Sequence, residues 1–203
     1  MPRTPSSKAG TLRAQLAEGR HALALGRVPE LTAHFLAHPD QAARRAAHLI
    51  EFLWDDDPGV ASRAADILER ITRRSSPIRD RIFACSTDSK DALLGLLPEA
   101  SPKKLRWNLA LMLGRLPLTA MEARRAAAVL QSWLNDSSSI VKTAALQGLA
   151  DLTRMDPSLL PMVQDLLRMH SRSGTAAMRT RSRILLQSFE KRRGDEWPKP
   201  WLA

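Results

Sequence analysis

The stretch "DSSSIVKTAAL", residues 136–146, has a near echo in "DDDPGVASRAA", residues 55–65. In both, a run of Asp or Ser is followed by an aliphatic residue and, about one turn later, by paired alanines. Asp and Ser side chains accept hydrogen bonds from the free N–H groups of a first helical turn, so the phrase marks a helix start. Pro58 fits the same reading, because its missing N–H has no partner in a first turn. The alanines then give that helix a small face against which another helix can pack closely.

Working outward, four segments align: "VASRAADIL" from Val60, "LRWNLALML" from Leu105, "VKTAALQGL" from Val141 and "MRTRSRILL" from Met178. Each opens on an apolar residue and carries Leu ninth, with Leu186 preceded by Leu185 in the last. Three put a base second: Arg106, Lys142 and Arg179. The starts are 45, 36 and 37 residues apart, close to the period of two-helix repeats. Between them, apolar positions three and four apart are broken by Pro, Gly, Asp and Ser clusters, such as Val28–Pro29, His38 to Asp40, Ser75 to Pro77, Leu116–Pro117, Asp156–Pro157 and Ser171 to Thr175. This is the pattern of many short helices. One helical pair cannot bury its own apolar face, so pairs stack and share a continuous core.

The unit around residue 136 resembles the HEAT-repeat family: Asp136 followed by Lys142 is similar to that family's Asp and Arg/Lys pair, and "VKTAALQGL" is similar to its second-helix pattern. Elsewhere Ala61 stands in place of the base, Leu109 in place of a small residue, and Ser173 where an Asp would precede Arg179. The resemblance implies an all-α, right-handed α-α superhelix of about four to five helical hairpins over residues 11–192. The second helices, around 60–72, 105–115, 141–153 and 178–189, would form its concave wall. Residues 1–10, rich in Pro, Ser and Lys, read as a disordered tail, and residues 193–203 as an extended one.

Composition agrees with a helical, globular chain. Of 203 residues, 44% are hydrophobic and 26% charged, with 4 Phe, 5 Trp and no Tyr to favour strands. One cysteine, Cys85, excludes an internal disulfide, and the opening "MPRTPSSKAG" lacks a secretory apolar run, so a cytoplasmic setting is expected. No stretch approaches the roughly 20 apolar residues that span a bilayer. The net charge of +10 lies at the ends: residues 1–28 carry +4 and residues 168–203 carry +6, while residues 29–167 balance. A protein that clasps a duplex along its length would spread that charge.

Candidate sites are few. Asp55, Asp56 and Asp57 read as helix caps rather than a cation site. His34 and His38, in "HFLAH", share a helix face without the Glu or Cys that zinc chemistry calls for, and Cys85 reads as a small buried apolar residue. No metal and no cofactor are expected. Trp54, Trp107 and Trp133 read mainly as packing residues, with Trp107 singled out because it follows Arg106 on an expected concave helix. The basic run "RMHSRSGTAAMRTRSR", residues 168–183, brings Arg179, Arg181 and Arg183 to a helix start, where phosphate or an acidic peptide would fit. Trp197 and Trp201 in the tail either cover an open end or are offered to another protein.

Nucleophile elbow, dinucleotide loop and P-loop patterns are all missing, so the sequence reads as a non-catalytic scaffold. A protein partner is the first expectation, met through Arg106, Trp107, Lys142, Arg179, Arg181 and Arg183. Nucleic acid or another polyanion docking on the C-terminal basic unit is the second. A third follows from a resemblance to DNA glycosylases built on HEAT-like solenoids, which would cast Trp107, Arg106, Asp66 and Asp151 in base-handling roles. Neither a membrane nor a small-molecule cofactor is expected as a partner.

Overall fold

The computed structural model describes residues 7–19, 21, 23–84 and 87–191. These form eleven α-helices and three short 3-10 turns, with no strand among the described residues. The helices are α1 (Ser7–Ala17), α2 (Val28–Ala37), α3 (Pro39–Glu51), α4 (Pro58–Arg74), α5 (Ser76–Ala84), α6 (Thr87–Leu96), α7 (Lys103–Leu113), α8 (Ala120–Ser132), α9 (Ser139–Leu152), α10 (Leu160–Ser173) and α11 (Ala176–Glu190). The all-α expectation therefore holds. Cys85, residues 1–6 and residues 192–203, with Trp197 and Trp201, lie outside the described residues, and α1 begins at Ser7, within the stretch expected as a tail.

The four aligned segments start at the third residue of α4, α7, α9 and α11 respectively, and Val60, Leu105, Val141 and Met178 are all buried. The uneven spacing has a physical source. The 36- and 37-residue intervals each hold one intervening α-helix, α8 or α10, whereas the 45-residue interval holds two, α5 and α6. Two details differ from the sequence reading. Leu185, not Leu186, is the fully buried leucine of α11, because it lies seven residues after Met178, on the face that also buries Ser182. The break expected from Ser171 falls later, since the Ser171 and Ser173 hydroxyls donate back to the carbonyls of Arg168 and Met169 and α10 runs on to Ser173.

The chain forms two compact units, residues 1–96 with 100–105, and residues 97–99 with 106–203. The core of the first is α4, which packs against α1, α2, α3 and α5. Thirteen of its seventeen residues are buried, part of its polar stripe included, so it is enclosed on most sides. Asp57 caps it, its carboxylate accepting from the N–H groups of Gly59 at 2.7 Å and Val60 at 3.4 Å. Arg73 and Arg74 occupy the last turn, where cations complement the helix dipole. Gly26, at φ +50, turns the chain toward α2 in a conformation that L side chains disfavour.

In the second unit α9 takes the central place, packed against α8, α10 and α11. Its approach to α7 depends on Gly148: a Cβ there would lie 2.7 Å from the Ala110 carbonyl oxygen and 2.7 Å from a Leu130 methyl. Thr119 and Glu122 close a capping box on α8, with Thr119 N–H donating to Glu122 Oε2 at 2.7 Å and Glu122 N–H donating to Thr119 Oγ1 at 3.3 Å. Thr175 caps α11 by accepting from the Met178 N–H.

Candidate functional site

The Asp that opens each echo phrase has two structural duties. Asp55 accepts from the Asp57 N–H at 3.0 Å, and Asp136 from the Ser138 N–H at 2.7 Å, each folding its own turn. Each also holds an arginine from an earlier helix: Arg13 of α1 on Asp55 at 2.6 Å, and Arg106 of α7 on Asp136 at 2.8 Å. Asp156 repeats the device before α10, accepting from the Ser158 N–H at 3.1 Å and pairing with Arg124 of α8 at 2.7 Å. Ser158, above all through its hydroxyl, and Arg124 hold the Asp156 carboxyl below the usual range. Arg106 is thus engaged in a structural pair. The base found on Asp136 is Arg106, 30 residues earlier, rather than Lys142, six residues later.

Lys142 stands one repeat after Arg106, where the matching acid is replaced by Ser173. It instead lies near His170, whose pKa is lowered from 6.5 first by burial and then by the Lys142 charge. Trp107 is half-buried on α7.

The three arginines of α11 separate by direction. Arg181 turns inward and is 9% exposed; its Nε donates to Gln147 Oε1 at 2.7 Å, and its Nη2 reaches the same oxygen. Gln147 in turn donates from Nε2 to Asp151 Oδ1 at 2.8 Å. Burial lowers the Arg181 pKa while the Asp151 charge opposes that shift. Arg179 is half-buried and donates to the Gly174 carbonyl at 2.8 Å, whereas Arg183 is exposed and reaches the Ser171 carbonyl at 3.4 Å.

Above Arg181 lies a groove of about 430 Å³ lined by Thr143 of α9 and by Ala176, Ala177, Thr180, Arg181 and Ile184 of α11. It exists because α11 exposes small side chains along its first two turns: Ala176, Ala177 and Thr180 are all exposed. The walls are mostly apolar, and the Arg181 side chain is fixed at one side by Gln147. Of the six residues expected to meet a partner, only Arg181 lines the groove.

Gln147, Thr143 and Thr180 escaped the sequence reading. The alignment signalled only the buried position of Arg181: the fourth aligned position holds Arg63, Asn108, Ala144 and Arg181, so a polar residue recurs inside the apolar stripe of three of the aligned helices. Arg63, Asn108 and Arg181 are all buried.

Asp66, the His34 and His38 pair and Trp133 are engaged in structure, whereas Trp54 is not. Asp66 is buried with Lys104 Nζ at 3.0 Å and Arg70 Nε at 3.4 Å. His38 Nδ1 donates to the His34 carbonyl at 2.9 Å, and the two rings lie 4.5 Å apart. Trp133 is buried in the 3-10 turn before Asp136, while Trp54, in the corresponding turn before Asp55, is 45% exposed. Among the described residues no three His, Cys, Asp or Glu side chains gather as metal ligands, and no helix is long and apolar enough to cross a membrane. Comparisons with protein-family models, curated proteins and solved structures find no match to this chain.

Proposed function

We propose that this chain is a non-catalytic helical-repeat module, resembling HEAT repeats in a right-handed superhelical arrangement, that binds a protein partner through its second helices. The observation that carries the reading is the groove on α9 and α11, with small apolar walls and an arginine held in place by Gln147. Such a surface gives a partner's apolar side chains a pocket beside a fixed positive charge, a combination that anchors binding energy. The single cysteine fits a cytoplasmic setting.

The test is affinity capture from the native cell extract with the full chain, with Thr180→Arg, and with Met169→Arg. Thr180 is exposed on the groove wall, and Met169 is exposed on α10. The expected result is a partner lost with Thr180→Arg and retained with Met169→Arg. Equal capture by all three would overturn the groove as the binding surface.

The second reading, a polyanion on the C-terminal unit, is supported by the +6 charge of residues 168–203 and by the exposure of Arg183. Because Arg181 is turned inward, the informative replacement is Arg179 and Arg183 together. Fluorescence anisotropy with labelled single- and double-stranded DNA decides the matter. Saturable binding that persists at physiological salt and falls in the double variant supports this reading, and binding that vanishes with salt removes it.

A further inference from the structure

We propose that the segment which docks in the α9/α11 groove is an acidic amphipathic helix of a protein partner, its apolar residues on the groove floor and its carboxylates on the arginines of α11. The inference rests on the reading of the groove as the binding surface and adds the chemistry of its occupant.

The floor is apolar for a reason that the aligned positions make plain. Ser139, Thr143 and Gln147 of α9 align with Ala176, Thr180 and Ile184 of α11. On α9 that face is covered by the next layer: the Ser139 hydroxyl meets that of Thr175 at 2.8 Å, and Gln147 accepts from Arg181. On α11 the same face lines the groove, and alanine and isoleucine stand where serine and glutamine hold polar partners on α9. A further layer of the same kind, bringing another inward base, would find no such acceptor there. Apolar side chains suit the face, and Ile140, next to Ser139 in the chain and 39% exposed, adds to it.

The shape selects a helix. The row Ala176, Thr180 and Ile184 runs for about 12 Å at about 1.5 Å per residue, and apolar residues at i, i+4 and i+7 of a second helix span about 10 Å. An extended strand would need partners for its backbone groups, yet the walls are mostly apolar and the Thr143 hydroxyl already donates to the Ser139 carbonyl. A helix satisfies those groups within itself. The charge selects the acid. Arg179 and Arg183 each follow a floor residue by three positions and flank the row on one side, while Ala177 and Arg181 each precede one by three and flank it on the other. No lining residue is acidic. Arg183 is exposed and its contact with the Ser171 carbonyl is long, at 3.4 Å, so its guanidinium is able to turn to a carboxylate without breaking a strong bond. Residues 168–191 carry six Lys and Arg against one acid, so the field that draws in an acidic helix repels a basic one, and repels a second copy of this face.

Fluorescence anisotropy of the full chain with labelled synthetic peptides tests this. The first probe is a helical peptide of about 15 residues with leucines at i, i+4 and i+7 and glutamates on both flanks; a second carries lysine for glutamate, and a third alanine for leucine. The first is expected to bind saturably at physiological salt, and each of the others at least about ten-fold more weakly. Arg183→Glu should weaken the first probe about ten-fold and strengthen the second, whereas Arg125→Glu, the same change of charge at an exposed position on α8, should leave both within about two-fold. Thr180→Arg should abolish binding of the first. All three altered positions are exposed, so the fold is not at stake. No binding of the first probe, equal affinity for the first and second, or equal effects of the two charge reversals overturns the proposal. Equal affinity for the first and third overturns it in favour of a polyanion. The outcomes are separable from those of partner capture. Capture lost with Thr180→Arg, together with failure of the first probe, removes the acidic helix and keeps the groove. Probe binding that Thr180→Arg abolishes, together with capture indifferent to that change, keeps the groove's preference and removes the captured partner from it.

Discussion

α4 and α9 begin with the same phrase and each becomes the enclosed helix of its unit, yet their interiors are different. α4 buries charges of its own, Arg63, Asp66 and Glu69, while α9 buries neutral Thr143 and Gln147 and receives its charge from Arg181 on α11. Arg63 is 2% exposed and is satisfied by backbone carbonyls: Leu16 through Nε, His21 and Ala24 at 3.3 Å each, and Ala17 at 3.4 Å. It caps the end of α1 and fastens the following loop to α4. Arg181, at the same aligned position, donates to a side-chain oxygen, Gln147 Oε1, and borders a groove. The same residue type thus closes a structure in the first unit and leaves a surface in the second, because of what covers the helix.

The comparison can be broken most forcefully at Arg63. Arg63→Met keeps much of the volume but strands the buried Leu16 carbonyl and three part-buried ones, at a cost of about 3 kcal/mol, read by urea denaturation. Arg181→Met should cost less, about 2 kcal/mol, because it strands one buried acceptor, Gln147 Oε1, which the Asp151 carboxylate cannot serve. Equal costs would mean that the two arginines do the same work. Gly148→Ala comes next, at about 2 kcal/mol, since the added Cβ meets the Ala110 backbone, which cannot yield as a side-chain end does. A melt unchanged in that variant would show that α7 and α9 have room to separate.

A double-mutant cycle on Arg106→Ala and Asp136→Ala is expected to give a coupling of about 1 kcal/mol, the pair being partly shielded from solvent. Coupling near zero would place the value of Asp136 in its own turn alone. The smallest effect is a pH dependence. His170 is held below 6.5 by burial and by Lys142, so as pH falls the unfolded chain takes up that proton first. Its contribution to stability is complete above 6.5 and is lost as pH drops through the lower folded value. Thermal melts across that range should show the loss, and His170→Gln should flatten it.

Much of the fold was legible because helix starts and small faces are local. Asp57 and Thr175 cap as their residue types suggest, and Gly148 admits a neighbouring backbone. The candidate site was legible only in part. The run of α11 arginines looked like one basic face, but residues two apart on a helix point in different directions, so Arg181 went inside while Arg183 stayed out. Arg106 looked available for a partner because the acid that binds it, Asp136, lies 30 residues away in sequence and close only in space.

By itself the sequence determined an all-helical chain, the starts of its four aligned helices and the small faces on which they pack, since these depend on caps, periodicity and side-chain size within a few residues. Only the tertiary structure decided which charges are consumed and where a groove remains. Both follow from which helix lies over which, and that is set by contacts between residues tens of positions apart.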